Sequence, residues 1–270
     1  MATNDMMVPA RDYNAEAFVP EDVLDWVRPL VAEFIGPFAL VFAGAGSIML
    51  AITQGYGDGG TLVMVALAHG LAIGLMVAAA GHISGGHYNP AVTIALFIGG
   101  KIGAIKAVAY IAVQLAGAVV AALILQQIFD NSVADVANSV PAVNYDEANG
   151  GDGIIVGRTN ALILEIILTF FLVYVIHGVA IDSRGPHAIA SLAIGLTITM
   201  DILVGGPLTG AAMNPARHFG PALVANEWKD TWLYWIGPVI GGAIASVIFN
   251  YVMIPRRVGF PEPMPSEHHE

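Results

Sequence analysis

Ser84-Gly85-Gly86-His87-Tyr88-Asn89-Pro90-Ala91-Val92-Thr93 and Thr209-Gly210-Ala211-Ala212-Met213-Asn214-Pro215-Ala216-Arg217-His218 are two versions of one phrase, with Asn-Pro-Ala repeated 125 residues apart. Asn is a strong N-cap residue and Pro is favoured at the first helical position, so each copy reads as the start of a helix. The apolar stretches that follow are short, 90–98 (stopped by Gly99-Gly100) and 215–225. At about 1.5 Å per residue they reach roughly 12–17 Å, half of a bilayer's hydrocarbon core. Half-length helices survive at that depth only where protein or a water-filled cavity surrounds their ends.

The surroundings are those of a membrane protein. Of 270 residues, 56% are hydrophobic and 11% charged, and the mean hydropathy is +0.71. A soluble domain carries roughly a quarter charged residues. Six stretches are long and apolar enough to span: 29–51, 61–81, 103–129, 161–181, 188–206 and 232–253. No cleavable signal peptide is visible, because Asp5, Asp12, Glu16, Glu21, Asp22 and Asp25 interrupt the first 27 residues. The first spanning helix is expected to act as the insertion signal. The net charge of −11 is a solvated-surface feature of the tails and one long loop, and it argues against nucleic-acid binding. With no cysteine there is no disulfide, thiolate metal site or cysteine nucleophile.

Six spans put both tails on one side, accompanied by Arg11, Arg28, Lys101, Lys106, Arg184, Arg256 and Arg257. The other side has Arg158 and Lys229, so the positive-inside rule predicts cytoplasmic termini. The 130–160 loop, with Asp130, Asp135, Asp146, Glu147 and Asp152, then faces outward.

The halves align without gaps through their second helices. Gly70 matches Gly195, Ser84 matches Thr209, and Gly85 matches Gly210. In the third helices Gln114-Leu115-Ala116-Gly117 matches Pro238-Val239-Ile240-Gly241, and each first helix holds one acid, Glu33 or Glu165. Three spans per half force the second copy to enter from the opposite face, an inverted repeat. The fold class predicted is therefore an all-α membrane protein with six transmembrane helices plus two half-helices. The half-helices would meet end to end near the midplane, each presenting its positive N-terminus. The Asn amides would offer donors to a water oxygen, while the helix ends repel hydronium and metal cations.

The two phrases, extended to Gly81–Thr93 and Gly205–Pro221, resemble the signature loops of the aquaporin (major intrinsic protein) family, and the resemblance covers roughly 29–254. It implies one pore per subunit, a homotetramer, no cofactor, and no enzymatic activity. The pore motifs are then Asn89, Pro90, Ala91, Asn214, Pro215 and Ala216. The family's selectivity filter, carried over by spacing from the two Asn residues, falls on His69, Ile202, Ala211 and Arg217. That set is similar to plant tonoplast intrinsic proteins, as is Ile202-Leu203-Val204-Gly205-Gly206. His69 is expected to form a second polar wall beside Arg217. The domains read as a cytoplasmic segment 1–28, a channel domain 29–254 (halves 29–129 and 161–254 joined by 130–160), and a cytoplasmic tail 255–270 that reads as disordered.

The resemblance predicts a passive channel for water that excludes protons and ions, and that also passes small neutral solutes such as ammonia or hydrogen peroxide. The alternative is a glycerol or urea facilitator. Against glycerol stand His218 and Ala222, where glycerol channels have Asp and a basic residue, and the pair Tyr234-Trp235 fits the water-channel pattern. Glu33 and Glu165 are costly in a bilayer and are expected to brace the pore loops. Asp201 is expected to reach the outer interface or to draw ammonium to the mouth. Ala211 replaces the family's mercury-sensitive cysteine, so mercurials should not block through a thiol. A histidine in the 182–187 loop gates some plant relatives by pH, which makes His187 a candidate gate. Rival classes are a secondary transporter, which needs ionisable coupling groups at the site, and a membrane enzyme, for which His82 and His87 have no suitable spacing. A junction protein with closed pores is a third. The membrane favoured is a plasma or inner membrane, with a vacuolar membrane as the alternative.

Overall fold

The structure is a computed structural model describing residues 21–129, 135–144 and 155–254. The expectations for the tails, with Arg11, Arg256 and Arg257, and for Asp130, Asp146, Glu147 and Asp152, lie outside the described residues.

Eight α-helices are described: α1 (Glu21–Gln54), α2 (Asp58–Ser84), α3 (Pro90–Ile98), α4 (Ala104–Phe129), α5 (Arg158–Ile176), α6 (Ala190–Thr209), α7 (Pro215–Ala225) and α8 (Leu233–Ile248). Six of these elements are long and apolar enough to cross a membrane, and α3 and α7 are the two short ones. The helices outrun the apolar stretches. α1 begins at 21 rather than 29, so that Asp22, Asp25 and Arg28 precede the apolar run within the same helix. It tolerates Pro29 and Pro37 inside it. α5 and α8 each continue into a single π-turn, His177–Ile181 and Phe249–Met253, where the apolar pattern gives no sign of a change.

The repeat is visible in how elements stop. α2 ends at Gly85 (φ 96) and α6 at Gly210 (φ 79), each N–H returning to the carbonyl four residues back. Both positions need the left-handed conformation that glycine adopts without penalty. The chain then turns inward at each site and starts a half-helix. α3 packs mainly on α8 and α7 mainly on α4, so each half-helix is sheathed by the other half's third helix.

Close approach joins the halves. α2 crosses α6 at Gly70 and Gly195. A Cβ on Gly70 would overlap Thr199 Oγ1 and the Gly195 carbonyl, and one on Gly195 would meet the Gly70 carbonyl at 2.6 Å. Small residues there let backbones touch where lipid supplies no hydrophobic drive. Leu71, Leu75, Leu192 and Leu196 stay exposed on the outside of this crossing.

Candidate functional site

Two buried glutamates set the loop geometry. Glu33 accepts from Ser84 Oγ (2.7 Å) and His87 N (2.9 Å) on Oε1, and from Tyr88 N (2.7 Å) and Gln114 Nε2 (2.8 Å) on Oε2. Glu165 accepts from Thr209 Oγ1 (2.7 Å) and Ala212 N (3.0 Å) on Oε1, and from Met213 N (2.9 Å) on Oε2. Both carboxylates are fully buried and exist at that depth because donors surround them. Their grip also explains the backbone. Tyr88 (φ 50) and Met213 (φ 51) are left-handed non-glycine residues at matched positions, each held by an N–H bond to its glutamate.

Each strained residue precedes an Asn. Asn89 Oδ1 accepts from Ala91 N at 2.8 Å, and Asn214 Oδ1 from Ala216 N at 2.9 Å and Arg217 N at 3.3 Å, capping α3 and α7. The amide nitrogens cross over. Asn89 Nδ2 donates to the Met213 carbonyl and Asn214 Nδ2 to the Tyr88 carbonyl, both at 2.9 Å. One N–H of each amide thus ties the loops together, and only the second is left for a molecule in the lumen. Pro90, Ala91, Pro215 and Ala216 form the buried first turns of the two half-helices.

A narrow cavity runs past these groups. Asn89, Asn214, His69, Ile202, Ala211 and Arg217 all line it, together with His87 and an apolar wall that includes Leu172, Ile194 and Ile198. His69 and Arg217 are in contact: Arg217 Nε donates to His69 Nε2 at 2.9 Å. Since Nε2 accepts, the proton sits on Nδ1, which donates to the Val65 carbonyl at 2.8 Å. Both ring nitrogens are therefore used. His69 thus lines the cavity beside Arg217 with its imidazole bonded to the guanidinium. A second anchor is the Ser139 carbonyl, which accepts from Arg217 Nη1 at 3.0 Å.

Two tyrosines complete the loop supports. Tyr110 OH donates to the Ser84 carbonyl and Tyr234 OH to the Thr209 carbonyl, both at 2.8 Å. Ser84 and Thr209 are the hydroxyl donors to the two glutamates, so each tyrosine latches the brace from behind. The signal was present in sequence: Tyr110 and Tyr234 stand four residues before the matched Gln114 and Pro238.

The halves differ in one layer. In the first, Thr93 Oγ1 meets His87 Nδ1 (3.1 Å) and Gln114 Nε2 (3.0 Å). The matched residues in the second are His218, Ala212 and Pro238, and the latter two offer no side-chain partner. His218 is fully buried, stacked on Tyr234 with centroids 4.3 Å apart, and neither ring nitrogen has a hydrogen-bond partner among the described residues. Asp201 does not reach the outer interface. It is 1% exposed and neither carboxylate oxygen is partnered among the described residues. Its turn of α6 faces inward: Ile202 lines the cavity, and a Cβ on Gly205 would meet Leu168 of α5 at 2.5 Å.

At the end that holds the start of α1 and the end of α8, His187 and His82 both line a wide vestibule, and His187 Nδ1 donates to the Val179 carbonyl at 3.0 Å. Asp182 accepts from Arg184 N (3.0 Å) and Nε (2.9 Å), and Arg184 Nη2 donates to the Met253 carbonyl at 3.1 Å, tying the π-turns together. These bonds from Arg184 pull the Asp182 carboxyl down to about 2. At the opposite end Arg158 Nε pairs with Asp230 Oδ1 at 2.7 Å. Among the described residues no three His, Asp or Glu side chains gather as metal ligands would.

Comparison with known proteins fits this geometry. Residues 22–249 match the family described as major intrinsic protein. The chain is 48% identical over 242 residues to probable aquaporin TIP3-2 of Arabidopsis thaliana, covering 86% of this chain and 85% of that one. It is 40% identical over 245 residues to aquaporin TIP4-4 of Zea mays, covering 89% and 92%. Among solved structures, the aquaglyceroporin from Plasmodium falciparum superposes with a TM-score of 0.72 at 27% identity, covering 84% of this chain and 97% of that one.

Proposed function

Because the chain belongs to the major intrinsic protein family, a family of channels and not of enzymes, we propose that it is a multi-pass membrane channel that conducts water passively and excludes protons and ions. The observation that carries this reading is the crossed pair of Asn amides where two half-helix N-termini converge on one lumen. Water accepts from the remaining amide N–H groups and turns its lone pairs toward them. A continuous file of donors and acceptors, which proton hopping needs, is thereby interrupted. The helix ends and Arg217 add positive potential against cations.

His69, Ile202, Ala211 and Arg217 act as the selectivity filter, and Glu33 and Glu165 as loop braces. With the His69 ring engaged by Arg217 and Val65, the filter offers one cation and two apolar walls. That composition suits small neutral solutes such as ammonia and hydrogen peroxide beside water. Glycerol or urea passage is the second reading, favoured by the apolar Ile202 and Ala211 walls and by the likeness to an aquaglyceroporin. The homotetramer, the cytoplasmic termini and a gating part for His187 belong to the same proposal. The preference for a plasma or inner membrane finds no support among the TIP-type plant relatives. The vacuolar membrane, implied by the filter's resemblance, is the location proposed in its place.

Stopped-flow light scattering on proteoliposomes tests the reading. The expected result is fast water flux with a low activation energy, no proton leak, and ammonia or peroxide flux above empty vesicles. Water flux equal to that of empty vesicles removes the channel assignment. Water flux without the other solutes reduces it to a strict water channel.

A further inference from the structure

The selectivity filter is positioned from outside the pore by a four-residue turn. Among the described residues the Arg217 side chain has two anchors, His69 Nε2 and the Ser139 carbonyl. Ser139 ends the 3-10 turn Val136–Ser139, and its own Oγ donates back to the Val136 carbonyl at 2.7 Å. A single 3-10 turn has weak internal geometry and does not hold its shape unaided.

Two features hold this one. Val136 is a plug, fully buried among Val41, Ala45 and Met49 of α1, Ala118 and Leu125 of α4, and Ala216 of α7. At the turn's start stands a reciprocal capping box: Ala137 N donates to Asp135 Oδ1 (3.4 Å), and Asp135 N donates to Asn138 Oδ1 (2.9 Å). Asp135 and Asn138 are exposed and touch neither the lumen nor Arg217. They fix where the Ser139 carbonyl points, and the carbonyl fixes where the guanidinium sits.

We propose that Asp135 and Asn138 are positioning residues for solute selectivity, acting through the turn Val136–Ser139 on Arg217. The proposal rests on the reading of His69, Ile202, Ala211 and Arg217 as the filter. Loosening the cap lets the Ser139 carbonyl drift. Arg217 then keeps only its bond to His69 and swings within the cavity, which admits larger neutral solutes while water passes as before. The role needs the cap's hydrogen bond, not its charge. Asn, itself a strong capping residue, therefore replaces Asp135 without loss, and Ala does not.

The test measures glycerol and water permeability of the full chain in proteoliposomes for wild type, Asp135→Ala, Asp135→Asn, Asn138→Ala and Arg217→Val. Asp135→Ala should raise the glycerol-to-water ratio about fivefold, the factor that the typical loss of an N-cap corresponds to. Asn138→Ala should move it the same way, and Asp135→Asn should stay at the wild-type ratio. Gel filtration in detergent checks folding, and Asn138→Ala is read alone if Asp135→Ala does not fold. A raised ratio in Arg217→Val with no change in the cap variants overturns this proposal and leaves the filter reading standing. Equal leakiness of Asp135→Asn and Asp135→Ala overturns it too, by showing a charge effect. An unchanged ratio in Arg217→Val removes the filter reading and this proposal with it.

Discussion

Arg217 Nε donates to His69 Nε2 at 2.9 Å, joining residues 148 positions apart and fixing the imidazole as the Nδ1–H tautomer. Removing the acceptor leaves a buried guanidinium N–H unpaired at about 1–3 kcal/mol. His69→Ala should therefore lower thermal stability and widen the filter together, seen as a drop in melting temperature and a rise in glycerol flux relative to water. Arg217→Val should add a proton leak, read with a pH dye sealed inside vesicles. A proton-tight Arg217→Val channel would show that the half-helix ends exclude protons without it.

The two braces should differ in weight. Replacing Glu33 by Leu strands four donors and replacing Glu165 by Leu strands three. Each unmet buried donor costs about 1–3 kcal/mol. Gln114 keeps its second partner, Thr93, and Thr209 keeps a long bond to the Gly205 carbonyl at 3.5 Å, which softens both cases. Both variants should lose folded protein on gel filtration. Survival of either with wild-type water flux would contradict a bracing role.

Tyr110→Phe and Tyr234→Phe each delete one hydroxyl and leave one carbonyl short of a donor. About 1 kcal/mol per variant is expected. The latches serve separate braces, so the double variant should be additive to within roughly 0.5 kcal/mol. Clear non-additivity in thermal melts would mean that the two loops respond as one unit.

Glycines in one helix should behave oppositely. Gly70→Ala places a methyl against Thr199 and the Gly195 carbonyl and should destabilise the α2–α6 crossing. Gly59, near the start of the same helix, has open space where its Cβ would go. Gly59→Ala should be neutral or stabilising by up to about 1 kcal/mol, since Ala is the better helix former. A Gly70→Ala melt matching wild type would deny the close crossing.

Acid should leave the Asp182–Arg184 strap intact over the ordinary range. The Asp182 carboxyl is held at about 2, against an ordinary value of 3.8. A depressed carboxyl contributes stability that is complete above the unfolded value and disappears only as pH falls through the folded one. Proteolysis of the 182–187 loop should thus be flat from pH 7 to pH 5, and Asp182→Asn should be cut faster than wild type throughout. Accelerated wild-type cleavage at pH 5 would show that the Asp182 carboxyl does not set the strap's response to acid.

The spans were legible because lipid demands long apolar runs, and the half-helices because Asn-Pro announces a capped start. What sequence did not disclose depends on side-chain direction. Asp201 reads as a surface acid near a helix end, but one residue before lumen-facing Ile202 it points into protein. His69 reads as a polar wall, and what the sequence does not show is that its nitrogens bond Val65 and Arg217. The π-turns at 177–181 and 249–253 leave no mark in an apolar pattern that fits any helix. Tyr110 and Tyr234 were within reach, since the repeat ruler that matched Gln114 with Pro238 passes four residues from both.

The crossed amides have a consequence for how the molecule is made. Asn89 finds its acceptor in Met213, 124 residues later, and Tyr88 waits for its donor in Asn214. At roughly 5–20 residues per second, a ribosome needs about 6–25 seconds to supply that partner. During that interval the first loop sits in the translocon or bilayer with a polar amide and a carbonyl unmatched. The nascent first half is thus the vulnerable species in biosynthesis, and the pore closes around its lumen only when the second loop arrives.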